Sequence, residues 1–227
     1  MKKAILFIIP ALFLSILNFS VWAASEITTE KQKLSYALGA YFSQGVSQQN
    51  IDLDIPVFLQ AVQDMLNKAE LKLTPKEIQE ILAQYQQKLV NERTAASNAN
   101  KTAGKTFLEE NKKKKDVVEL PSGLQYKIIK KGSGQKPAAD SSVNVHYQGT
   151  LIDGKVFDSS YERGQPFTLS LKGNIIKGWK EAVPLMSVGS KWQIYVPAEL
   201  AYGEEGVVNS IGPNETLIFD IELLAIK

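Results

Sequence analysis

The chain has 227 residues, 44% of them hydrophobic, and its 26 Lys and Arg against 24 Asp and Glu leave a formal net charge of +2. That length holds one or two ordinary cores and that composition is globular, while so small a net charge gives no electrostatic footprint of a nucleic-acid or membrane-surface partner. With no cysteine and a single histidine, disulfides, a thiol nucleophile, a cysteine-borne lipid anchor and a Cys/His zinc site are excluded; no metal or cofactor is expected.

Met1-Lys2-Lys3 is a basic start, Ala4 to Val21 is almost wholly apolar, and Val21-Trp22-Ala23 ends on small residues. This pattern reads as a signal peptide over 1–23. A spanning anchor is the competing reading, but Pro10 interrupts the apolar run and the small-residue end fits cleavage. The mature chain then starts near Ala24, outside the cytoplasm, with no further apolar run long enough to span a bilayer.

From Thr28 to Lys68 the apolar period is helical. Leu34, Leu38, Tyr41 and Phe42 share one face and Ile55, Phe58, Leu59, Val62, Met65 and Leu66 another, with Gly45 to Asp54 expected between the two helices. Asp54 is placed as a cap, with Pro56 in the first turn. Thr74-Pro75-Lys76-Glu77 predicts a capping box at the start of a third, long helix running toward Lys113. Its apolar stripe (Ile78, Ile81, Leu82, Tyr85, Leu89) fades after Asn91, so this helix reads as a rod holding two bodies apart. The Lys112–Lys115 run at its end is read as a solvated helix terminus.

Beyond Val117 the period changes to two. Leu124, Tyr126 and Ile128 predict one strand, Val143, Val145 and Tyr147 a second, Trp192, Ile194 and Val196 a third, and Leu217, Phe219, Ile221 and Leu223 a fourth. Gly132, Asp153-Gly154, Gly164 and Gly212-Pro213 mark turns between them, and Gly178 to Val183 is the one helical stretch. The C-terminal half is therefore an antiparallel sheet with a short helix.

Four separated stretches, VHYQGTLIDGKVFDSS (145–160), IIKGWKEAV (175–183), AELAYG (198–203) and GPNETLIFDIELL (212–224), resemble the FKBP-type prolyl isomerases in order and spacing. With its helical N-terminal half, its Gly-Leu-Gln-Tyr entry at 123–126 and its leader, the chain is similar to the macrophage-infectivity-potentiator (Mip) branch, which is associated with virulence. The resemblance implies an α+β fold, with a half-open five-stranded antiparallel sheet wrapped over a short helix, an all-α N-terminal domain and a long connecting helix. The expected limits are 24–73 for a helical dimerisation domain, 74–115 for the connecting helix and 116–227 for the isomerase domain.

The resemblance also implies the site. Tyr147, Phe157, Phe167, Ile176, Tyr202 and Phe219 match the pocket that holds the proline, with Trp179 at its floor and Ile175 and Ile211 completing the walls. Tyr202 matches a hydroxyl donor to the substrate carbonyl, and the Ile176 N–H a second donor. Asp158 matches a group at the pocket edge, paired with Arg163 and the Tyr147 hydroxyl; since it follows Phe157 directly on an extended segment, the two side chains are expected to diverge. His146 alternates away from Tyr147 and should face opposite to the pocket. By count Val207 stands where many members carry a flap histidine.

The implied activity is cis/trans isomerisation of X–Pro bonds in exported proteins, with proline-containing polypeptides as substrates and macrolides such as rapamycin as ligands. The helices of residues 28–70 are too small for a core of their own, which points to a homodimer through them; a monomer folding them onto its own rod is the alternative. Location in the periplasm of a Gram-negative bacterium, or at its outer membrane or surface, follows from the leader and the resemblance. A non-catalytic chaperone or host-surface binding protein using the same pocket and dimer cleft is the second functional reading.

Overall fold

The computed structural model describes residues 26–48 and 51–227; the segment read as a signal peptide, 1–23, lies outside them. The chain divides into two compact units between Asp52 and Leu53. The first contains helix α1, Glu30–Gln48, of 19 residues. Thr29 and Gln32 cap it reciprocally, the Gln32 N–H donating to Thr29 Oγ1 at 3.2 Å and the Thr29 N–H to Gln32 Oε1 at 3.0 Å. Gly45, expected in the break between helices, lies inside α1: one interior glycine costs about 1 kcal/mol, less than stops an established helix. No residue of α1 is buried.

The second unit opens with α2, Ile55–Leu66, where Asp54 accepts from the Val57 N–H at 3.1 Å and Pro56 occupies the first turn. Helix α3, Pro75–Asn111, starts on the expected capping box, with the Thr74 N–H donating to Glu77 Oε2 at 2.7 Å and the Glu77 N–H to Thr74 Oγ1 at 3.3 Å. Its 37 residues span about 55 Å at about 1.5 Å each.

One antiparallel sheet follows, of β1 (Val117–Glu119), β2 (Gln125–Lys130), β3 (Ser142–Leu151), β4 (Val156–Ser159), β5 (Phe167–Ser170), β6 (Lys191–Val196) and β7 (Leu217–Ile226). The order is β1-β2-β6-β7-β3-β4, with β5 also on β3. Since β7 runs along one edge of β3, β4 and β5 share the other, β4 opposite Gln148–Thr150 and β5 opposite Ser142–Val145. The expectation of five strands counts β4 and β5 as one interrupted strand and omits the three-residue β1.

Strict alternation buries Val143, Val145, Tyr147 and Leu151 on β3 and Leu217, Phe219, Ile221 and Leu223 on β7. Helix α4, Lys177–Ala182, continues into a 3₁₀ turn, Val183–Leu185, and presses Trp179, Ala182 and Val183 onto this face. Strand β2 departs from the predicted pattern: Ile128 is 39% exposed while Gln125 is fully buried.

Gln125 is buried because the last turns of α3 cover the other face of the sheet. Its side chain donates to Leu108 O at 2.9 Å and to Glu119 Oε1 at 3.1 Å and accepts from Asn111 Nδ2 at 3.0 Å, while Phe107 lies 5.9 Å from the Tyr195 ring. The second half of α3 is thus docked on the sheet rather than a free spacer. Lys112, expected to be only solvated, pairs with Glu109 at 2.9 Å and reaches Glu119 at 3.8 Å. Replacing Gln125 by Leu removes the side-chain acceptor of Asn111 Nδ2 and one of the two donors to Leu108 O, which keeps the Lys112 N–H, and is expected to cost about 1–3 kcal/mol in urea denaturation of the full chain.

Candidate functional site

Between α4 and the β3–β7 face lies a pocket of about 190 Å³. Its floor is Trp179, 5% exposed, placed by the close seat of α4 on the sheet. The Tyr147 ring meets Trp179 edge-on at 5.1 Å and 88°, and the Phe219 ring does the same from β7 at 5.4 Å and 85°. Phe167 extends this wall from β5 against Tyr147 at 5.8 Å, and Phe157 from β4 against Phe219 at 5.5 Å and 90°. Five aromatic rings therefore form one continuous edge-to-face series, the arrangement favoured by ring quadrupoles.

Gly149 lets two of these rings meet. It sits on β3 opposite both Asp158 and Phe219, and a Cβ there would come within 2.5 Å of Phe157 Cζ and 2.9 Å of Phe219 Cε1. Neither Gly149 nor Asn174, which lines the pocket beside Ile175 and Ile176, is anticipated by the sequence reading; a glycine on the buried face of an alternating strand is the signal that could have found the first.

Asp158 lies at the pocket edge. Its carboxylate accepts from the Tyr147 hydroxyl and from Arg163 Nη1, and Arg163 Nη2 donates to Tyr147 Oη at 2.8 Å, closing a triangle. Phe157 and Asp158 both line the pocket, contrary to the expected divergence. The β3–β4 register shifts here: Gly149 pairs with Asp158 and Thr150 with Val156, so Phe157 is an inserted, bulged residue, and a bulge breaks strict alternation.

Burial first, then the hydrogen bond to Asp158, push the Tyr147 hydroxyl up to about 12, against the opposing pull of Arg163. The Tyr202 hydroxyl is also raised, by burial and then by the Asp158 charge. Both are protonated donors at neutral pH. The Asp158–Arg163 pair is about two-fifths exposed on each side chain, so its direct contribution to stability is small, about 0–1 kcal/mol; its effect is to orient the Tyr147 hydroxyl.

Tyr202 and Phe167, 41% and 40% exposed, stand at the rim. Ile211 does not line the pocket; it is 7% exposed within the core, at the base of the Val207–Ile211 bridge. Arg163 reaches the site only through Asp158 and Tyr147. His146 stacks on Tyr161 at 4.6 Å and shares a hydrogen bond with Ser160 Oγ at 2.9 Å, away from the pocket. A larger cleft of about 310 Å³ between α3 and the sheet is lined by Lys101, Lys105, Glu109, Glu119 and Glu199 together with Leu108, Pro197 and Ala198 and by no aromatic side chain, so it lacks the ring series of the smaller pocket.

Residues 133–224 match the family profile described as FKBP-type peptidyl-prolyl cis-trans isomerase, and residues 31–128 that of the domain amino terminal to it. The outer membrane protein MIP of Legionella longbeachae is 46% identical over 208 residues, covering 90% of this chain and 89% of its own. The peptidyl-prolyl cis-trans isomerase Mip of Coxiella burnetii is 40% identical over 224 residues, 95% of this chain and 96% of its own. The crystal structure of FkpA from Escherichia coli superposes with a TM-score of 0.62 at 36% identity, over 89% of this chain and 99% of that one. On this evidence the chain belongs to the FKBP-type peptidyl-prolyl cis-trans isomerases, in the branch that carries an N-terminal helical domain.

Proposed function

We propose that the proline ring of an X–Pro segment seats on Trp179 within the aromatic series, and that the enzyme stabilises the twisted amide there. Rotation breaks amide resonance, with a barrier of about 18–20 kcal/mol. A twisted amide is less dipolar than a planar one, so an apolar, water-poor pocket binds it preferentially, and only such differential binding accelerates the step. No proton transfer or covalent intermediate is needed. The continuous series of five rings around Trp179 is the observation that carries this reading.

Within it Tyr202 donates to a substrate carbonyl from the rim. Ile176 is the second donor: its carbonyl accepts from Trp179 and Lys180 at the start of α4, while its own N–H makes no backbone hydrogen bond among the described residues. Asp158, with Tyr147 and Arg163, presents an oriented polar edge to the amide as it turns. Phe157, Phe167, Ile175 and Phe219 exclude water. A macrolide such as rapamycin competes for the same apolar seat.

The purified mature chain should accelerate cis-to-trans conversion of a short X–Pro peptide, and rapamycin should abolish the acceleration; no acceleration by the folded chain would overturn the reading. Tyr202→Phe is expected to lower kcat/KM about 2–10-fold, mostly through KM, the loss of one orienting hydrogen bond. Asp158→Ala should lower it by about 10-fold or more, since it also releases Tyr147 and Arg163.

Because Tyr147 and Tyr202 both hold their protons above the ordinary phenol range, and the one histidine lies away from the pocket, kcat/KM should be flat between about pH 6 and about pH 9. A step near pH 6.5, the ordinary histidine value, would contradict it. The raised Tyr147 value contributes stability fully present below about pH 10, the unfolded phenol value, and lost as pH rises toward about 12.

The helical region, residues 24–73, is proposed to join two copies through 28–70. Leu34 and Leu38 on α1 are 62% and 60% exposed, and Ile55 and Leu66 on α2 are 56% and 79% exposed; apolar surface of this kind marks an association site. Two catalytic domains in one dimer would hold an unfolded chain at two points and raise apparent affinity by effective concentration. Sedimentation should give a dimer for the mature chain and a monomer for Leu38→Glu with Leu59→Glu, peptide turnover being retained. Export to the periplasm or outer membrane of a Gram-negative cell is proposed from the leader and the named outer membrane relative; among the described residues no helix is long and apolar enough to cross a membrane.

A further inference from the structure

The segment from Ala201 to Asn214 carries Tyr202 at the pocket rim, turns at Val207–Ile211, and returns to β7. Of its apolar residues, Ile211 is buried and Ala201 packs against the core, while Val208 is 81% and Val207 37% exposed, so packing holds the ends of the segment and not its tip. Helix α3 supplies further anchors. Arg93 Nη2 donates to Glu204 O at 2.8 Å and Glu205 O at 3.2 Å, with the Glu205 carboxylate at 3.0 Å. Asn100 Nδ2 donates to Pro213 O at 2.9 Å, and Asn214 Nδ2 to Ser97 Oγ at 2.8 Å.

These helix residues, 93, 97 and 100, followed by Gly104, are spaced by four, three and four, which puts them on one face of α3. Gly104 completes the contact: a Cβ there would overlap Thr216 Oγ1, so the helix backbone lies directly against the Thr216 side chain at the start of β7. The connection to the pocket is short. Asn214, held by Ser97 through its side chain, donates its backbone N–H to Gly203 O at 2.8 Å, and Gly203 donates to Ala198 O at 2.9 Å. The residue between those two fixed points and the pocket is Tyr202.

We infer that Arg93, Ser97 and Asn100 are positioning residues for prolyl isomerisation: by docking α3 onto the Ala201–Asn214 loop they set the placement of the Tyr202 hydroxyl over the pocket. The inference rests on the reading of Tyr202 as a substrate donor. Arg93 and Glu205 are largely exposed, with side-chain exposures of 53% and 92%, so this contact contributes geometry more than stability. A substrate-orienting hydrogen bond made equally in ground and transition state acts on KM and leaves kcat alone; loosening the loop should do the same.

The test uses the full mature chain carrying Arg93→Ala with Asn100→Ala, assayed for kcat and KM on an X–Pro peptide alongside its thermal melt. KM should rise about 3–10-fold with kcat within about 2-fold, and the melting temperature should stay within about 2 °C. Arg93→Lys should retain KM within about 2-fold of the parent, since it keeps a charged donor. Gly104→Ala should raise KM by wedging the helix away, and adding Thr216→Ala, which removes the overlapping hydroxyl, should restore it. Tyr202→Phe is the control. If it raises KM while the double variant does not, the positioning role is overturned and the pocket reading stands. If Tyr202→Phe itself has no effect, the reading of Tyr202 as a substrate donor fails and takes the inference with it. A fall in melting temperature with KM unchanged would assign the α3 contacts to stability alone, and would also overturn the proposal.

Discussion

Trp179 held edge-on between Tyr147 and Phe219 is the contact on which the catalytic unit turns. It fixes α4 against the sheet, since two rings from β3 and β7 grip one side chain of the helix. It also makes the pocket floor, because the indole presses toward strands whose other side chains, Val143, Val145, Ile221 and Leu223, fill the core beside it. Aromatic pairs in this geometry are worth about 0.5–1.5 kcal/mol beyond the area they bury, and two further rings extend the series to the pocket mouth. The same packing that stabilises the domain thus builds the surface proposed to receive the proline.

A pocket built this way suits a reaction with no bond made or broken. An amide can turn without a nucleophile, a metal or a covalent intermediate. The charges of the site, Asp158 and Arg163, satisfy each other and a tyrosine hydroxyl. They leave the floor apolar while one polar edge stands at the pocket rim. The bulge at Phe157 is what allows the apolar ring and the carboxylate to serve the same pocket from adjacent positions.

Helix α3 joins the two roles of the chain. Its first half continues the apolar pattern of the helical region; its second half reads as polar and docks through hydrogen bonds to backbone carbonyls and small-residue contact. A helix that approaches at Gly104 and ends on Gln125 and Asn111 is tied to both faces of the domain's function: the sheet that supports the pocket and the loop that rims it. Such contacts are individually weak and jointly directional, which is what positioning a single hydroxyl requires.

Much was legible in the sequence. The capping residues Asp54 and Thr74, the alternation of β3 and β7, the poverty of reactive side chains and the four family motifs all lie within short stretches, because backbone capping and strand alternation are local and state which face of an element is buried. They do not state against what. The bulge that turns Phe157 and Asp158 to one pocket, the withdrawal of Ile211 into the core, the burial of Gln125 and the grip of Arg93 on a loop 111 residues away depend on partners remote in the chain. A polar face leaves no hydrophobic period to announce that it is an interface, so only the tertiary structure decided where α3 rests and what it holds.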